Sequence, residues 1–290
     1  MQRETIQKLI ELNNTFYQQH HASFSASRQN AWPGWTRLIE LLSNDMQFDL
    51  NNFSVLDFAC GNLRFHEFLN TALPEAEIDY YALDNSLDLI PENSTVNFQN
   101  LDVLAALLSQ TPALRTLPAP ALPTPMQTQA PTQASVSTTP TQATPTQPNK
   151  LSQLISAPAC DLTVCFGFMH HVPTYDYRTQ ILETLLGKTK SGSYLAVSFW
   201  QFMQNENLAA AAIATHQKAI AELGFSDLDY NDYIIGWNNI KSAYRYCHSF
   251  TDFEIDELTA SIEAQAKLVA RFSADGSGNA LNSYVILRKS

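Results

Sequence analysis

Val55-Leu-Asp-Phe-Ala-Cys-Gly-Asn62 is the stretch of sequence that decides the fold. An apolar run ends at Asp57 and gives way to small residues, which is typical of a buried strand that leads into a tight turn. In doubly wound α/β sheets, ligands bind outside the carboxyl ends of the strands, where a glycine lets the backbone approach them. Gly61 supplies that approach. The stretch therefore predicts an α/β fold with a nucleoside cofactor at this turn.

The turn differs from the one that binds dinucleotides. That turn reads G-x-G-x-x-G and holds a pyrophosphate at the N-terminus of the following helix. Here the carboxylate of Asp57 comes first and Gly61 follows without the other glycines. We therefore do not expect an anion at this position, and a nicotinamide-dependent oxidoreductase is the least favoured of the enzyme classes.

Strand and helix patterns alternate on both sides of the turn. Helices are predicted over 3–19, from Pro33 onward and over 175–186, with a further long helix after residue 200. Short apolar or β-branched runs predict strands at 53–58, 78–83, 95–100, 161–166, 192–200, 267–273 and 283–288. This alternation predicts a doubly wound, Rossmann-like sheet of seven strands, mostly parallel, with an antiparallel C-terminal hairpin.

A low-complexity segment interrupts this pattern at 111–148. It is rich in Pro, Thr and Gln and contains the near-repeats Pro131-Thr-Gln-Ala134 and Pro140-Thr-Gln-Ala143. Such a composition buries too little apolar surface to offset the entropy of ordering. We expect a disordered insertion without a catalytic role, or alternatively a tether for a partner. The remainder divides into an N-terminal helical cap (1–52) and two halves of one domain (53–110 and 149–290).

Composition restricts the compartment and the partners. The 17 Lys and Arg residues against 28 Asp and Glu residues give a net charge of -11, which argues against a general nucleic-acid coat. Cysteines at 60, 160, 165 and 247 form neither a C-x-x-C pair nor a disulfide framework, so we expect a reducing cytoplasm and no zinc site. No window approaches the ~18 apolar residues of a membrane span, so no membrane partner is expected.

Asp84 and its neighbours form a second candidate site. Asp84 ends the second strand, a little more than 20 residues after Gly61. An acidic residue at that spacing accepts hydrogen bonds from ribose hydroxyls in nucleotide sites, and Asn85 would lie beside it. The alternative is a cap for the next helix, for which Asn85 and Ser86 compete.

A histidine pair follows the fourth strand. Phe166-Gly-Phe-Met-His-His171 places His170 and His171 after a glycine that lets the chain turn, at the edge where substrate would meet cofactor. We expect a site role for at least one of them. A metal role is disfavoured because no third ligand occurs at a useful spacing, and His170 could instead bond backbone in the turn.

These motifs occur in the order that resembles a class I S-adenosylmethionine-dependent methyltransferase, with Gly192-Ser-Tyr-Leu-Ala-Val-Ser-Phe199 as a further match. The resemblance implies S-adenosylmethionine as cofactor. It implies that Asp57 faces the cationic amino-acid end of the cofactor, that Ala59 and Gly61 line its backbone, and that Asp102 lies near the adenine amino group. Asp102 could alternatively cap a helix. Phe166 and His170 would complete the cofactor site. The family usually has glycine where Ala59 and Leu63 stand.

Two further stretches narrow the resemblance. Residues from Phe16-Tyr17 to Trp32-Pro33-Gly34-Trp35, with Ser27-Arg28 between them, look like the N-terminal cap of the tRNA wobble-uridine carboxymethyl methyltransferases. Arg245-Tyr-Cys-His-Ser-Phe250 is similar to the R-Y-x-H-x-F segment of that family. The resemblance implies that Tyr17, Arg28 and Trp32 close over the methionine end, with Arg28 pairing its carboxylate.

The same resemblance implies that Arg245 and His248 face the methyl acceptor together with His171. The alternatives are solvated ion pairs for Arg28 and Arg245, and core packing for Trp32 and Trp35. We therefore expect a methyltransferase that acts on a modified wobble uridine of tRNA. A methyltransferase of a small-molecule metabolite and a non-catalytic binding module remain open. The resemblance also leaves room for a small accessory protein as a partner.

Overall fold

The computed structural model describes residues 1–26, 30–90, 94–110, 150–238 and 240–290. The predicted insertion at 111–148 and Arg28 lie outside the described residues. Within these ranges, no helix combines the length and the apolar character that a membrane span requires.

Helices and strands alternate along the chain as the sequence predicts. The α-helices of the described residues are α1 (Arg3–Ala26), α2 (Pro33–Ser43), α3 (Arg64–Ala72), α4 (Val103–Gln110), α5 (Lys150–Leu154), α6 (Tyr175–Gly187), α7 (Glu206–Leu223) and α8 (Asp252–Ala260). The strands are β1 (Asn52–Phe58), β2 (Glu77–Asp84), β3 (Asn97–Asn100), β4 (Cys160–Cys165), β5 (Thr189–Trp200), β6 (Asp232–Gly236), β7 (Tyr244–His248), β8 (Ala266–Ala274) and β9 (Asn282–Lys289). Short 3₁₀ turns occupy Leu87–Leu89, Met169–His171 and Phe202–Gln204.

A seven-stranded sheet in the order β3-β2-β1-β4-β5-β9-β8 forms the centre of the molecule. The pairs among β1 to β5 are parallel, whereas β9 runs antiparallel to both β5 and β8. The predicted sheet, including its antiparallel C-terminal hairpin, is confirmed. Because β1 lies beside β4, the strand order reverses between them, and such a reversal opens a crevice at the carboxyl ends of the strands.

Both faces of the sheet are buried, which explains why its strands read as continuous apolar runs. On β1, Leu56 and Phe58 belong to the core on one face. Val55, which precedes Leu56, packs with Leu162 in the core on the other face. Successive side chains of a strand point to opposite faces, so Asp57 points toward the same face as Val55.

A second, two-stranded sheet was not predicted. It consists of β6 and β7, which pair antiparallel outside the main sheet. Ile234 and Tyr246 of this hairpin pack with Leu9 of α1 and Ala219 of α7. The R-Y-x-H-x-F segment therefore forms a buried strand that lies against the N-terminal helix.

Gly34→Ala is expected to lower the free energy of unfolding by about 2 kcal/mol, because it overpacks a fixed site. A Cβ at Gly34 would lie 2.2 Å from Cζ of the buried Tyr284 ring. That ring is held by a 2.6 Å hydrogen bond from its hydroxyl to Asp275, which also accepts the Gly34 N–H at 3.0 Å.

Urea denaturation would measure the effect. Gly187→Ala is the matched control, because a Cβ there meets Ser152 at an ordinary 3.7 Å and the residue ends a helix. We expect that control to be neutral or slightly stabilising. Equal stability of Gly34→Ala and the wild type would contradict the packing described here.

Candidate functional site

A cavity of about 550 Å³ opens at the carboxyl ends of the central strands. This volume lies within the range of about 300–1,000 Å³ that is usual for small-molecule sites. Helix α1 contributes Asn13, Asn14 and Tyr17 to the lining. The cavity is also lined by most of the residues that the sequence analysis selected, namely Tyr17, Trp32, Asp57, Ala59, Gly61, Asp84, Asn85, Asp102, Phe166, His170 and His171.

The loop after β1 has an unusual backbone. Ala59, Gly61 and Leu63 have φ values of 61°, 55° and 61°, all in the left-handed region. Only glycine adopts that region without a steric penalty. The loop therefore has the shape that glycines at these positions would favour, although Ala59 and Leu63 have side chains. Gly61 faces open space, since a Cβ there would meet no atom within 4 Å.

Ala59→Gly is expected to raise the free energy of unfolding by about 0.5–1 kcal/mol, because it relieves the left-handed strain and loses part of that gain to backbone entropy. Chemical denaturation would measure the change. Ala210→Gly, at an exposed position inside α7, is the matched control and should lose about 1 kcal/mol. If Ala59→Gly lowered the free energy of unfolding as much as Ala210→Gly does, Ala59 would not be strained.

Asp57 lies at the end of β1 and is 3 % exposed. Its Oδ2 accepts a 2.7 Å hydrogen bond from the hydroxyl of Tyr80 on β2. Burial is the main cause that raises the pKa of Asp57 to about 7; the bond from Tyr80 opposes this shift, and the charge of Asp84 adds to it. A carboxyl group held in this way gains its charge most readily when a cation enters the cavity.

Asp84 lies at the end of β2 and organises two backbone segments. Its Oδ2 accepts the Gly61 N–H at 2.9 Å, and its Oδ1 accepts the Ser86 N–H at 2.9 Å. Burial raises the pKa of Asp84, and these backbone bonds oppose the shift. A carboxylate has about four acceptor positions, so these backbone bonds leave acceptor capacity for a ligand in the cavity.

Asp102 caps α4, as the alternative predicted, and it also lines the cavity. Its Oδ1 accepts the Ala105 N–H at 2.9 Å in the first turn of α4, which is a helix-capping bond. Its Oδ2 accepts a 2.8 Å bond from Asn14 of α1. Asn14 also accepts a 2.9 Å bond from Asn85. One side chain of α1 thus connects the loops that follow β2 and β3, and both loops line the cavity.

The two tryptophans of the N-terminal segment differ in their surroundings. Trp35 is 2 % exposed and packs with Phe166 in the core below the cavity, as the packing alternative predicted. Trp32 is half-buried, lines the cavity and lies against Gly167, where a Cβ would approach its ring to 3.1 Å. Both rings line the cavity, and Trp32 is the more exposed of the two.

Tyr17, His171 and Arg245 meet at one end of the cavity. The Tyr17 hydroxyl lies 2.7 Å from Nε2 of His171 and accepts a 3.4 Å bond from Nη1 of Arg245. Arg245 is 4 % exposed, so it does not form the solvated ion pair that was the alternative. Its guanidinium lies 5.7 Å from the ring of Trp200 and 5.5 Å from that of Trp237, and both rings line the cavity.

The prediction that His248 faces the acceptor is wrong. Its side chain is 1 % exposed, and its Nδ1 and Nε2 lie 2.7 Å from Asp232 and 3.0 Å from Glu254. Both ring nitrogens are thus bound to carboxylates away from the cavity. Burial alone would raise the pKa of Glu254, but the bond and charge of His248 lower it to about 2. His248 therefore holds the β6–β7 hairpin to α8.

The fold also brings to the site residues that were not predicted from the sequence. Asn13 of α1 accepts the Tyr246 N–H at 2.7 Å and lies 3.2 Å from Nδ1 of His171, so it connects the hairpin to the histidine pair. The premise that no third metal donor accompanies this pair is wrong, because Sγ of Cys247 lies 3.8 Å from the same Nδ1. A row of polar residues at 13, 14 and 17 on α1 was the available signal for this face, since such spacings share one side of a helix.

Comparison with known proteins supports the architecture. No protein-family model and no curated protein matches the sequence. A methyltransferase from Methanosarcina mazei that depends on S-adenosylmethionine is 14% identical, with a TM-score of 0.50 over 90% of this chain and 99% of that one. One from Clostridium acetobutylicum is 10% identical, with a TM-score of 0.48 over 96% and 98% of the chains.

Magnesium protoporphyrin IX methyltransferase from Synechocystis, solved with bound SAH, is 12% identical, with a TM-score of 0.45 over 97% of this chain and 86% of that one. At these identities the likeness concerns the fold, and the argument for it rests on the Methanosarcina structure and on the strand order. The chain has the Rossmann-like α/β fold of the S-adenosylmethionine-dependent methyltransferases.

Proposed function

We propose that this protein is a methyltransferase that uses S-adenosylmethionine. The observation that carries the proposal is the pair of carboxylates, Asp57 and Asp84, at the ends of the adjacent strands β1 and β2 beside the open backbone of Gly61. Strand ends at the reversal of a doubly wound sheet are where such folds bind ligands. Two carboxylates there suit a ligand with a ribose and a cationic group, and they disfavour a pyrophosphate.

Each part of the cofactor has a matching group in the cavity. The acceptor capacity left on Asp84 would take the ribose hydroxyls, and the Asp57 carboxylate would pair with the ammonium group of the methionine end. Asp102 would accept from the adenine amino group, next to Asn85. Ala59, Phe166 and Trp32 would supply the apolar walls, and Tyr17 would close over the methionine end. The resemblance implies the same role for Arg28, which lies outside the described residues. His170 makes an edge contact with Trp200, with ring centroids 4.9 Å apart, and would lie between cofactor and acceptor.

Methyl transfer from a sulfonium is an in-line displacement with a good leaving group, so the protein mainly holds donor and acceptor in line. The acceptor would enter at the end of the cavity formed by Tyr17, His171 and Trp200. A carboxylate acceptor has no proton to lose, and Arg245 with His171 would orient it through the Tyr17 hydroxyl. A hydroxyl or amine acceptor would need a base, and His171 is the imidazole nearest to that position.

We infer that the acceptor is a modified wobble uridine of tRNA. The support is the R-Y-x-H-x-F segment, which forms β7 and brings Arg245 to the acceptor end. A small-molecule acceptor is the second candidate, because the net charge of -11 gives tRNA phosphates little attraction. We also place the protein in the cytoplasm on the evidence of its four free cysteines, with an accessory protein as an open partner.

Incubation with cofactor labelled in the methyl group tests both parts of the proposal. We expect label in the tRNA fraction rather than in a small-molecule extract, and none with Asp84→Ala in either fraction. Label in the extract alone would replace tRNA with a metabolite. If the cofactor binds but neither fraction is labelled, and a mobility shift with total tRNA at low salt is also absent, the chain is a binding module and the enzymatic proposal fails.

A further inference from the structure

Three metal-binding side chains from separate parts of the chain meet at the acceptor end of the cavity. His170 and His171 lie on the 3₁₀ turn after β4, and Cys247 lies on β7. All three are buried, with exposed fractions of 7%, 6% and 0%. One donor atom from each lies within 4.8 Å of the other two, a convergence unique among the described residues for groups of His, Cys, Asp and Glu.

The spacing of these donors is close to what a zinc ion requires. Zinc bonds of about 2.0–2.1 Å to nitrogen and about 2.3 Å to sulfur, arranged tetrahedrally, separate a nitrogen from a sulfur donor by about 3.6 Å. Nδ1 of His171 and Sγ of Cys247 are 3.8 Å apart. The other donor separations in the cluster are within 4.8 Å. Small movements of the side chains would therefore complete the coordination.

The chemistry of the donor set selects the metal. Two imidazoles and a thiolate favour zinc over magnesium or calcium, which prefer oxygen ligands. His170 and His171 line the cavity, so a fourth position would open toward it. Three protein ligands with one open position are the arrangement of zinc sites that take up water or substrate.

The surroundings of His171 suit a metal-bound imidazole. Such a ring is normally oriented by a hydrogen bond at its other nitrogen. In this protein Nε2 of His171 has that bond, at 2.7 Å from the Tyr17 hydroxyl, while Nδ1 faces Cys247. Nδ1 also lies 3.0 Å from the Tyr246 carbonyl and 3.2 Å from the Asn13 amide, so an ion would displace these contacts.

We propose that His170, His171 and Cys247 bind a zinc ion whose open position faces the acceptor end of the cavity. Binding forms two Zn–N bonds and one Zn–S bond, releases the Cys247 thiol proton to solvent and removes water from the hydrated ion. A His171 ring bound to the ion cannot act as a base. It would instead orient the acceptor through the Tyr17 hydroxyl. The proposal stands on the cluster itself and does not depend on the identity of the cofactor.

Metal analysis and cobalt spectroscopy of the full chain test the proposal. Protein purified without chelators should contain zinc at one ion per chain. After removal of that zinc, added Co²⁺ should produce the near-ultraviolet thiolate-to-cobalt charge-transfer band and the visible bands of tetrahedral cobalt. Cys247→Ser should lose the thiolate band, and Cys160→Ser, which changes a buried thiol at the far end of β4, should retain it.

His170→Gln is a second variant that keeps the thiol, and it should bind cobalt at least tenfold more weakly while retaining the circular dichroism spectrum of the wild type. It decides the question if Cys247→Ser fails to fold. The proposal is overturned if wild-type protein shows no thiolate band, if the band persists in Cys247→Ser, or if a folded His170→Gln binds cobalt as the wild type does. Calorimetric titration of the zinc-free protein with S-adenosylmethionine tests the proposed cofactor site separately. Failure of the zinc proposal can therefore be distinguished from failure of the proposed function.

Discussion

Asp57→Asn is expected to make the protein about 2–4 kcal/mol more stable than the wild type at about pH 8. Burial raises the pKa of Asp57 from 3.8 to about 7, so the folded state favours the neutral carboxyl group. The stability that Asp57 contributes is therefore complete below pH 3.8 and is lost as the pH rises toward 7. Asparagine is neutral at every pH, and its Oδ1 can still accept the hydrogen bond from Tyr80.

Urea denaturation at several pH values measures this effect. The difference between variant and wild type should grow from about pH 4 to about pH 7 and then level off. Asp79→Asn is the matched control, because Asp79 lies on the same strand as Tyr80 but is exposed. A variant that is less stable than the wild type at pH 8, or a difference that does not depend on pH, would show that the carboxyl group is not destabilised by burial.

The same substitution should weaken binding of S-adenosylmethionine, because it removes the charge that would pair with the ammonium group. In the wild type, affinity should fall by about tenfold for each pH unit below about 7, since Asp57 must lose its proton when the cofactor binds. In Asp57→Asn this dependence should disappear. A gain in stability combined with a loss of binding is typical of a group that is retained for function.

Asp84→Ala is expected to reduce the affinity for S-adenosylmethionine by at least about 100-fold. Hydrogen bonds to a charged acceptor contribute about 1.5–3 kcal/mol each, and two ribose hydroxyls would lose theirs. The variant also releases the Gly61 and Ser86 N–H groups that fix the loops after β1 and β2. Isothermal titration calorimetry measures the affinity.

Asp84→Asn separates these two effects, because an amide oxygen can still accept one backbone N–H while the charge is removed. We expect an intermediate loss of affinity for it, and none for the exposed Asp79→Ala on the same strand. Unaltered affinity in Asp84→Ala, with the folded protein verified by circular dichroism, would rule out the ribose contact.

The main sheet could be predicted from the sequence because its strands are buried on both faces. Leu56 and Phe58 pack on one face and Val55 on the other, so the strand reads as an unbroken apolar run. Asp57 and Asp84 stand out because each interrupts such a run at its carboxyl end. The spacing of these carboxylates from Gly61 then identified the lining of the cavity.

The β6–β7 hairpin was missed because its burial depends on polar pairing. Asp232 lies opposite His248 in the register of the two strands and also accepts a 2.8 Å bond from the Tyr246 hydroxyl. Arg178 of α6 lies 3.5 Å from the same carboxylate. A strand with so many ionisable residues shows no apolar run, and its partners are distant in sequence. His248, which was predicted to face the acceptor, belongs to this polar pairing and is a structural residue.

In the loop after β1, the residue types do not match the backbone conformation. The sequence has Ala59 and Leu63 where the family that it resembles usually has glycine. The backbone nevertheless adopts left-handed conformations at both positions. The loop after β1 therefore keeps its shape at a cost in backbone strain, and the Gly61 backbone stays open to the cavity.

Calorimetric titration of the protein with S-adenosylmethionine tests the cofactor site most directly. We expect saturable binding of one cofactor per chain at about pH 8, weaker binding at lower pH, and a loss of binding in Asp57→Asn and Asp84→Ala but not in Asp79→Ala. Absence of binding to the folded wild-type protein, or equal binding to Asp84→Ala, would contradict the assignment of this cavity to the cofactor.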